Sequence, residues 1–579
     1  MSTPLRDRRK RWEDLSSSRF DLLVVGGGIT GAGVALDAAS RGLRTALVER
    51  GDFAAGTSSK SSKLVHGGVR YLRQAQFGLV HEALGERKRL LRNAPHLVRP
   101  LPFLFPTMAA HRRHRGRARL LGLAARIGLG VYDLMGGRAL HRTRKVSLDE
   151  AVTMMPSLDI ERVTSAFCYY DAHTDDARLT LAVARTAAEE YGATLMNYAE
   201  VTNFLRDQER ASGIEIRDRH GDLGACTVRA DMIVNATGVW ADEVRSLVDG
   251  ENPESIRPAK GVHLSVPATR LPIDTAAVLG VAGDDRIIFV IRWGTHTYIG
   301  TTDTDYDGSL DDPACTPEDV RYLLEAVNAV VTEPLSAADV TGTWAGLRPL
   351  VRTGKGATTD QLSRKHAVIV GRSGVVTVTG GKMTTYRRMA ADAVDAALTV
   401  TSRGGRRGVR RMRSRTAALS LIGAPAPPAT GFPRDTVASG PSDILTDTYG
   451  TEADDVATLM ADDPALAESL VPGLPYLRAQ AVHAVRHEYA LTLEDVLSRR
   501  TRALLLDAEA TAAAAPDVAA LIAPELGWDG GETRRQVESF VALAAAEQEA
   551  PLHLAGAVPT GPPGPAGNAA PVATSTREA

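Results

Sequence analysis

Asp21-Leu22-Leu23-Val24-Val25 runs straight into Gly26-Gly27-Gly28-Ile29-Thr30-Gly31, and the next apolar run, Thr45-Ala46-Leu47-Val48, closes on Glu49. Strand, glycine turn, helix, strand and terminal acid in that order make a dinucleotide-binding βαβ unit. Each glycine has a physical job. Gly26 permits the tight turn, Gly28 lets the backbone approach a pyrophosphate, and Gly31 lets the helix pack on the sheet, with Gly33 adding room one turn on. Ala32, Ala35, Leu36 and Ala39 give the helix an apolar face. Its N-terminus turns free N–H groups and a positive dipole end toward the phosphates. Glu49 stands where a carboxylate accepts the hydroxyls of an adenosine ribose.

Up to Glu49 the unit suits NAD and FAD equally. The next stretch, Thr57-Ser58-Ser59-Lys60-Ser61-Ser62-Lys63-Leu64-Val65-His66-Gly67-Gly68, is a hydroxyl-rich loop where an NAD dehydrogenase would enter another helix. A loop of this kind suits a cofactor that continues past its pyrophosphate, as FAD does.

With 579 residues, the chain is long enough for two or three domains. A net charge of −1 argues against a dedicated nucleic-acid binder. Cys168, Cys226 and Cys315 are far apart and form no CxxC, which predicts neither structural disulfides nor a cysteine metal site. His111 and His114 lie in a basic run and make a poor metal signal, so no metal is expected. The basic N-terminus lacks the apolar core of a signal peptide, and no run of apolar residues is long enough to span a membrane.

The organisation follows from composition. Residues 1–18 read as a basic, flexible lead-in. Residues 19–400 mix strand and helix patterns and hold the glycine motifs. Within them Val375 to Thr379, Gly380-Gly381 and a helical run from Met383 to Leu398 repeat the strand–glycine–helix theme. Residues 401–416 read as an exposed basic linker. Residues 417–550 are Ala- and Leu-rich at helical spacing, and 551–579 read as a disordered tail. The expected fold is α/β: a Rossmann-like FAD-binding domain interleaved with a mixed-sheet substrate domain, followed by an all-α C-terminal domain. Asp495 and Arg499 stand four apart, the spacing of an ordinary surface ion pair on a helix.

The loop after Glu49 and a series of later motifs together resemble the FAD-dependent, quinone-linked glycerol-3-phosphate dehydrogenase family. The later motifs are Tyr170-Asp171 with Asp175-Asp176-Ala177-Arg178-Leu179, Asn235-Ala236-Thr237-Gly238-Val239-Trp240, Lys260-Gly261-Val262-His263, Ile299-Gly300-Thr301-Thr302-Asp303, Gly346-Leu347-Arg348-Pro349 and Gly380-Gly381-Lys382-Met383-Thr384-Thr385-Tyr386-Arg387. Arg486-His487-Glu488 and Arg499-Arg500-Thr501-Arg502 are similar to that family's helical domain. The resemblance covers residues 19 to about 510. It implies oxidation of sn-glycerol 3-phosphate to dihydroxyacetone phosphate by hydride transfer to FAD, with a membrane quinone as acceptor. The implied cofactor contacts are Gly26, Gly28, Gly31, Glu49, Thr57, Ser58, Ser59, Ser62, Lys63, Leu64, His66, Gly238, Gly381, Lys382 and Thr384. For the substrate they are Arg70, Tyr71, Arg348, Arg364 and Lys382, because a small dianion is best held by cations converging from several loops. His263 is the first choice for the proton acceptor, and its neighbours Leu264 and Val266 suggest a strand with His263 facing a pocket. Arg348 is placed to hold a developing alkoxide. Which arginine meets the phosphate and which the alcohol oxygen stays open.

For the acceptor, one stretch is informative. His111-Arg112-Arg113-His114-Arg115-Gly116-Arg117-Ala118-Arg119 leads into Leu120, Leu121, Leu123, Ile127, Leu129, Val131 and Leu134, within a span of roughly 108–135. That apolar face either packs on the core or lies in lipid headgroups. The resemblance favours the second, and implies a cytoplasmic protein peripheral to the inner face of the cell membrane, with a homodimer as a possible assembly. The alternative activity is a glycerol-3-phosphate oxidase that uses O2 and produces H2O2. A flavin-holding membrane protein without turnover is a third reading.

Overall fold

The computed structural model describes residues 4–73, 76–108, 115–137, 140–221, 223–250, 253–281, 286–352, 365–403, 412–426 and 441–556. Two sheets organise them. In the first, Arg19–Val25 lies between Ala225–Asn235 and Thr45–Val48, all parallel. Thr194–Met196 extends the sheet on one side and Val376–Gly380 on the other, again in parallel. The hairpin Ala199–Asp207/Arg210–Asp218 adds an antiparallel branch. Parallel strands buried on both faces need unbroken apolar sequence, which Leu22 to Val25 and Ile233-Val234 supply. The second sheet is mixed. Toward one end of it, Ile256–Pro267 pairs with both His296–Gly300 and Gly342–Val351, antiparallel to each.

Helix Ile29–Ser40 is buried along nearly its whole length. It packs against Tyr386–Arg403 and Asp176–Glu189. The first crossing is close: a Cβ at Gly33 would lie 2.7 Å from the Tyr386 ring. The helical run expected from Met383 begins as a 3-10 turn, Met383–Thr385, before helix Tyr386–Arg403. Helices and turns make up the described part of 441–556, around a core that includes Val471, Val485, Leu497, Val518 and Phe540.

Three expectations need correction. Residues 1–18 are not a flexible lead-in: Pro4–Ser17 is a helix. Arg8, Trp12 and Leu15 share one face at helical spacing. Trp12 and Leu15 enter the core, and Arg8 pairs with Asp218 at 2.5 Å and donates to Asn197 O. Full burial of a leucine contributes about 1.5–3 kcal/mol, enough to hold such a short helix down. Residues 401–416 are not one exposed linker. Helix Tyr386–Arg403 runs into them, and Ser414 and Thr416 hydroxyls meet the buried Asp37 carboxylate. Residues 404–411 lie outside the described residues. Residues 551–556 are not tail: they close helix Gly530–Gly556, which buries Pro551, and residues 557–579 lie outside the described residues.

The seam between helix Asp176–Glu189 and the C-terminal helices buries His96 and His483 beside Arg178 and Glu488. Burial, with the positive charge of Arg178 added, pushes His96 down to about 3. Burial likewise pushes His483 down to about 4, against the attraction of Glu488. The folded protein keeps both rings neutral, whereas the unfolded chain takes up protons from about pH 6.5 downward. Their contribution to stability is therefore complete above that pH and lost as the pH falls through the folded values. By pH 5 the loss is about 1–2 kcal/mol for each ring. Denaturant unfolding at pH 7 and pH 5 checks this. His483→Gln should flatten the dependence, and equal stability of the wild type at the two pH values would contradict it.

Candidate active site

The glycine turn has the geometry its sequence implies. Gly26 adopts φ +108°, and a Cβ there would lie 2.8 Å from Ala236 O. A Cβ at Gly31 would lie 1.8 Å from Gly26 O, so the helix can approach the strand only with glycine at this position. Gly28 caps helix Ile29–Ser40 without a side-chain hydrogen bond. Glu49 is held by the turn, with Oε2 accepting from Gly27 N (2.5 Å) and Oε1 from Gly51 N (2.8 Å). Burial pushes its carboxyl up against those two N–H groups. Each oxygen keeps a second lone pair for a ligand hydroxyl.

The hydroxyl-rich loop runs from this turn to the second sheet. Ala54 N donates to Gly27 O, and Ile29 N donates to Ser58 Oγ at 2.9 Å. Thr57 Oγ1 donates to Leu347 O at 2.6 Å, one residue before Arg348. Ser59 Oγ turns back onto Gly56 O. Ser62 Oγ meets His263 Nε2 at 2.8 Å. Leu64 pairs with His173 at the edge of the second sheet. The Lys63 ammonium is committed inside the protein, to Asp176 Oδ1 (2.8 Å) and Ser59 O (3.2 Å). Burial, reinforced by Arg502, pushes it down to about 8. As a cofactor contact Lys63 is thus limited to its backbone.

His263 lies on Ile256–Pro267 with the alternation expected of it. Val262, Leu264 and Val266 enter one apolar core. The His263 ring stacks on Trp344, with centroids 4.8 Å apart and planes 8° from parallel. It is 2% exposed, and Nδ1 has no hydrogen bond among the described residues. Burial, then the charges of Lys63 and Arg348, push its pKa well below the usual histidine range, so the resting ring is neutral. Arg348, on the neighbouring strand Gly342–Val351, donates to Lys260 O, Asp303 Oδ1, Thr301 Oγ1 and Thr302 O at 3.0–3.3 Å. The two side chains converge on Gly300-Thr301. A Cβ at Gly300 would lie 2.1 Å from His263 Cδ2, and one at Gly261 would lie 2.4 Å from Arg348 Nη2. Both glycines clear space for these two side chains.

The late glycine turn comes to the same region. Gly380 and Gly381 adopt φ +75° and +73°. Lys382 follows, its Nζ 3.9 Å from the Tyr71 ring centroid, a cation–π contact. Thr384 Oγ1 exchanges hydrogen bonds with His66 N and O. Gly238, at φ +60°, accepts from Thr379 Oγ1. Arg70 starts the short helix Arg70–Arg73, but its side chain is outside the description, as is all of Arg364.

Several supporting residues escape a reading by local pattern. Asp495 and Arg499 form no surface pair: both are buried, and Arg499 reaches Asp52 at 2.6 Å. Asp52 and Asp176 look like ordinary loop and helix-start acids, and only their three-dimensional partners set them apart. Trp344 likewise reads as a core aromatic until it is seen under His263.

The cradle fits FAD. Gly26 and Gly31 allow the close strand–helix turn, a helix N-terminus opens at it, and the adjoining loop is long enough to follow a second nucleotide half. Comparison with known proteins agrees. Residues 21–387 match the family model described as FAD dependent oxidoreductase, and residues 406–533 match the C-terminal domain of alpha-glycerophosphate oxidase. The chain is 42% identical over 548 residues to "Glycerol-3-phosphate dehydrogenase 2" of Mycobacterium tuberculosis, covering 93% of this chain and 90% of that one. It is 36% identical over 548 residues to the mitochondrial glycerol-3-phosphate dehydrogenase of Homo sapiens, covering 90% and 73%. The crystal structure of the glycerol-3-phosphate dehydrogenase from Bacillus halodurans complexed with FAD superposes with a TM-score of 0.74 at 31% identity, over 95% of this chain and 99% of that one. Matched along both its α/β and its helical regions, the chain belongs to the FAD-dependent glycerol-3-phosphate dehydrogenase family, and FAD is its cofactor.

Proposed function

We propose that the protein oxidises sn-glycerol 3-phosphate at its secondary alcohol to dihydroxyacetone phosphate and delivers the electrons to a membrane quinone. The observation that carries this reading is the convergence of a buried neutral histidine, His263, and an anchored arginine, Arg348, on Gly300-Thr301, beside the loop that leads from the FAD cradle. Bound FAD supplies the hydride acceptor. Gly26, Gly28, Gly31 and the helix N-terminus would hold its pyrophosphate, Glu49 its ribose, Thr57, Ser58, Ser59 and Ser62 its linker, and the Gly380-Gly381 turn its anion-accepting edge. His263 takes the alcohol proton at Nε2 once the Ser62 hydroxyl, which meets that nitrogen at 2.8 Å, turns aside and frees its lone pair. Arg348 steadies the charge that develops on the alcohol oxygen. Lys382, held over the Tyr71 ring, is assigned to the phosphate, and the family resemblance adds Arg70 and Arg364 to the same role.

The quinone reading is supported by helix Arg115–Gly136. Ile127, Val131 and Leu134 are exposed at i, i+4 and i+7, and Leu134 is 82% exposed. On the opposite face Leu129 and Tyr132 are buried, so the helix is docked by one side and apolar on the other. Phe77, also exposed, opens the neighbouring helix Phe77–Asn93. Among the described residues no helix is long and apolar enough to cross a membrane. An amphipathic helix of this kind suits the headgroup layer, at the edge of the hydrocarbon in which a membrane quinone dissolves. The basic run 111–114 lies outside the described residues, as do the side chains of Leu120, Leu121 and Leu123.

One experiment tests the whole reading. Anaerobic addition of sn-glycerol 3-phosphate should bleach the flavin band near about 450 nm, and a soluble quinone analogue should restore it. The protein should co-sediment with anionic vesicles. A flavin that stays yellow would overturn the substrate assignment. Peroxide formed one-for-one in air, with no reduction of the quinone analogue, would replace the dehydrogenase with the oxidase.

A further inference from the structure

The 52–63 loop is gripped from outside by the C-terminal helical region. From the π-helical turn Asp495–Arg500, wider than an α-turn, two successive arginines reach one carboxylate. Arg499 Nε and both Arg500 Nη atoms donate to the Asp52 carboxylate at 2.5–2.8 Å. Arg500 also donates to Glu488 O. Two residues on, Arg502 Nη2 donates to Ser59 O (2.5 Å) and to Asp176 Oδ1 (2.7 Å), while Nη1 is anchored on Ser498 O. Asp176 in turn accepts from Ser61 N, Ser61 Oγ and Lys63 Nζ. Asp52, Asp176, Arg499, Arg500 and Arg502 are all at most 6% exposed.

These contacts fall at the two ends of the loop that joins the cofactor cradle to the proton acceptor. After the Asp52 end, Ala54 N binds Gly27 O. Between the ends, Ser58 accepts from Ile29 N and Thr57 donates to Leu347 O. Within the Ser59–Lys63 end, Ser62 faces His263. Such buried, multidentate arginine–carboxylate contacts are directional and specify one geometry. Nothing in the loop's own sequence specifies its register, because its serines and threonines bond equally well in many conformations.

We propose that Arg499, Arg500 and Arg502 are positioning residues through which the C-terminal helical domain holds the 52–63 loop in register, so that the FAD cradle and His263 stay correctly spaced. The inference rests on the FAD site and on the role given to His263. Two of its three readouts need no substrate, so its failure is distinguishable from failure of the proposed reaction.

The test compares full-length holoenzymes carrying Arg502→Met, Arg502→Lys and Asp52→Asn with the wild type. It measures the FAD dissociation constant, the visible circular dichroism of the bound flavin, and kcat and KM for glycerol 3-phosphate. Arg502→Met should lower kcat about 30–100-fold with KM within about threefold, the signature of displaced groups rather than lost substrate contacts. The flavin dichroism should change. Arg502→Lys should recover part of kcat, because one ammonium can bind Ser59 O and Asp176, as Arg502 Nη2 does, but has no second nitrogen to anchor on Ser498 O. Asp52→Asn should weaken FAD binding about tenfold or more. If Arg502→Met yields no folded holoenzyme, Arg502→Lys and Asp52→Asn decide on the same measurements. Wild-type dichroism and FAD affinity in the variants that fold would overturn the proposal. So would a loss of kcat that merely follows the unfolded fraction.

Discussion

Replacing Arg348 with methionine is expected to lower kcat/KM for glycerol 3-phosphate by about 10³-fold, roughly 4 kcal/mol of transition-state stabilisation, while FAD stays bound. The guanidinium is fixed by Lys260 O, Thr301, Thr302 O and Asp303, so it is preorganised and reaches the developing charge without rearranging. Methionine keeps the stem and removes the charge. Arg348→Lys should recover little, since one ammonium cannot reproduce contacts that both Nη atoms share out. The FAD cradle lies on the other sheet, and the loop contact nearest to Arg348 is made by a backbone atom, Leu347 O. The absorbance spectrum should therefore survive the change. Activity within tenfold of wild type would move the substrate site elsewhere.

His263→Asn is expected to lower kcat by about 10²–10⁴-fold and to remove a limb from the pH profile. The sign follows from the environment. Burial and the charges of Lys63 and Arg348 depress the His263 pKa, so the active neutral form persists well below pH 6.5 in the free enzyme. The limb in kcat/KM should lie on the acid side of that value, with activity lost as the pH falls through it. A bound dianionic substrate favours the imidazolium, so the limb in kcat should lie at higher pH than the limb in kcat/KM. The substrate phosphate also titrates near about pH 6. The limb that disappears in His263→Asn is the one that belongs to the histidine. An unchanged profile in the variant would remove His263 from the proton-accepting role. The asparagine also loses the stack on Trp344, so the comparison is made at equal folded fraction.

Much of this site was legible before the structure, and the legible parts share a property. Gly26, Gly31 and Glu49 act through backbone geometry within one βαβ unit, so their roles follow from local order. His263 was readable as facing away from the core that takes Val262, Leu264 and Val266, because alternation along a strand is also local. The flexible lead-in was misread because the charge of residues 6–11 outweighed the weaker signal of Arg8, Trp12 and Leu15 on one helical face. The inward turn of the Lys63 ammonium was not legible, because a lysine in a hydroxyl-rich loop gives no sign of a buried partner 113 residues away.

The chain's local order determined the cofactor-binding unit, because turn geometry and hydrophobic period are encoded within a few dozen consecutive residues. Which charges face one another was decided by tertiary structure alone. Asp52 meets Arg499 and Arg500, 447 and 448 residues further along, and Asp176 meets Arg502 across 326. A buried carboxylate requires a counter-charge, but that requirement does not say which of 68 lysines and arginines supplies it. Only the packing of the helical region against the loop makes that choice.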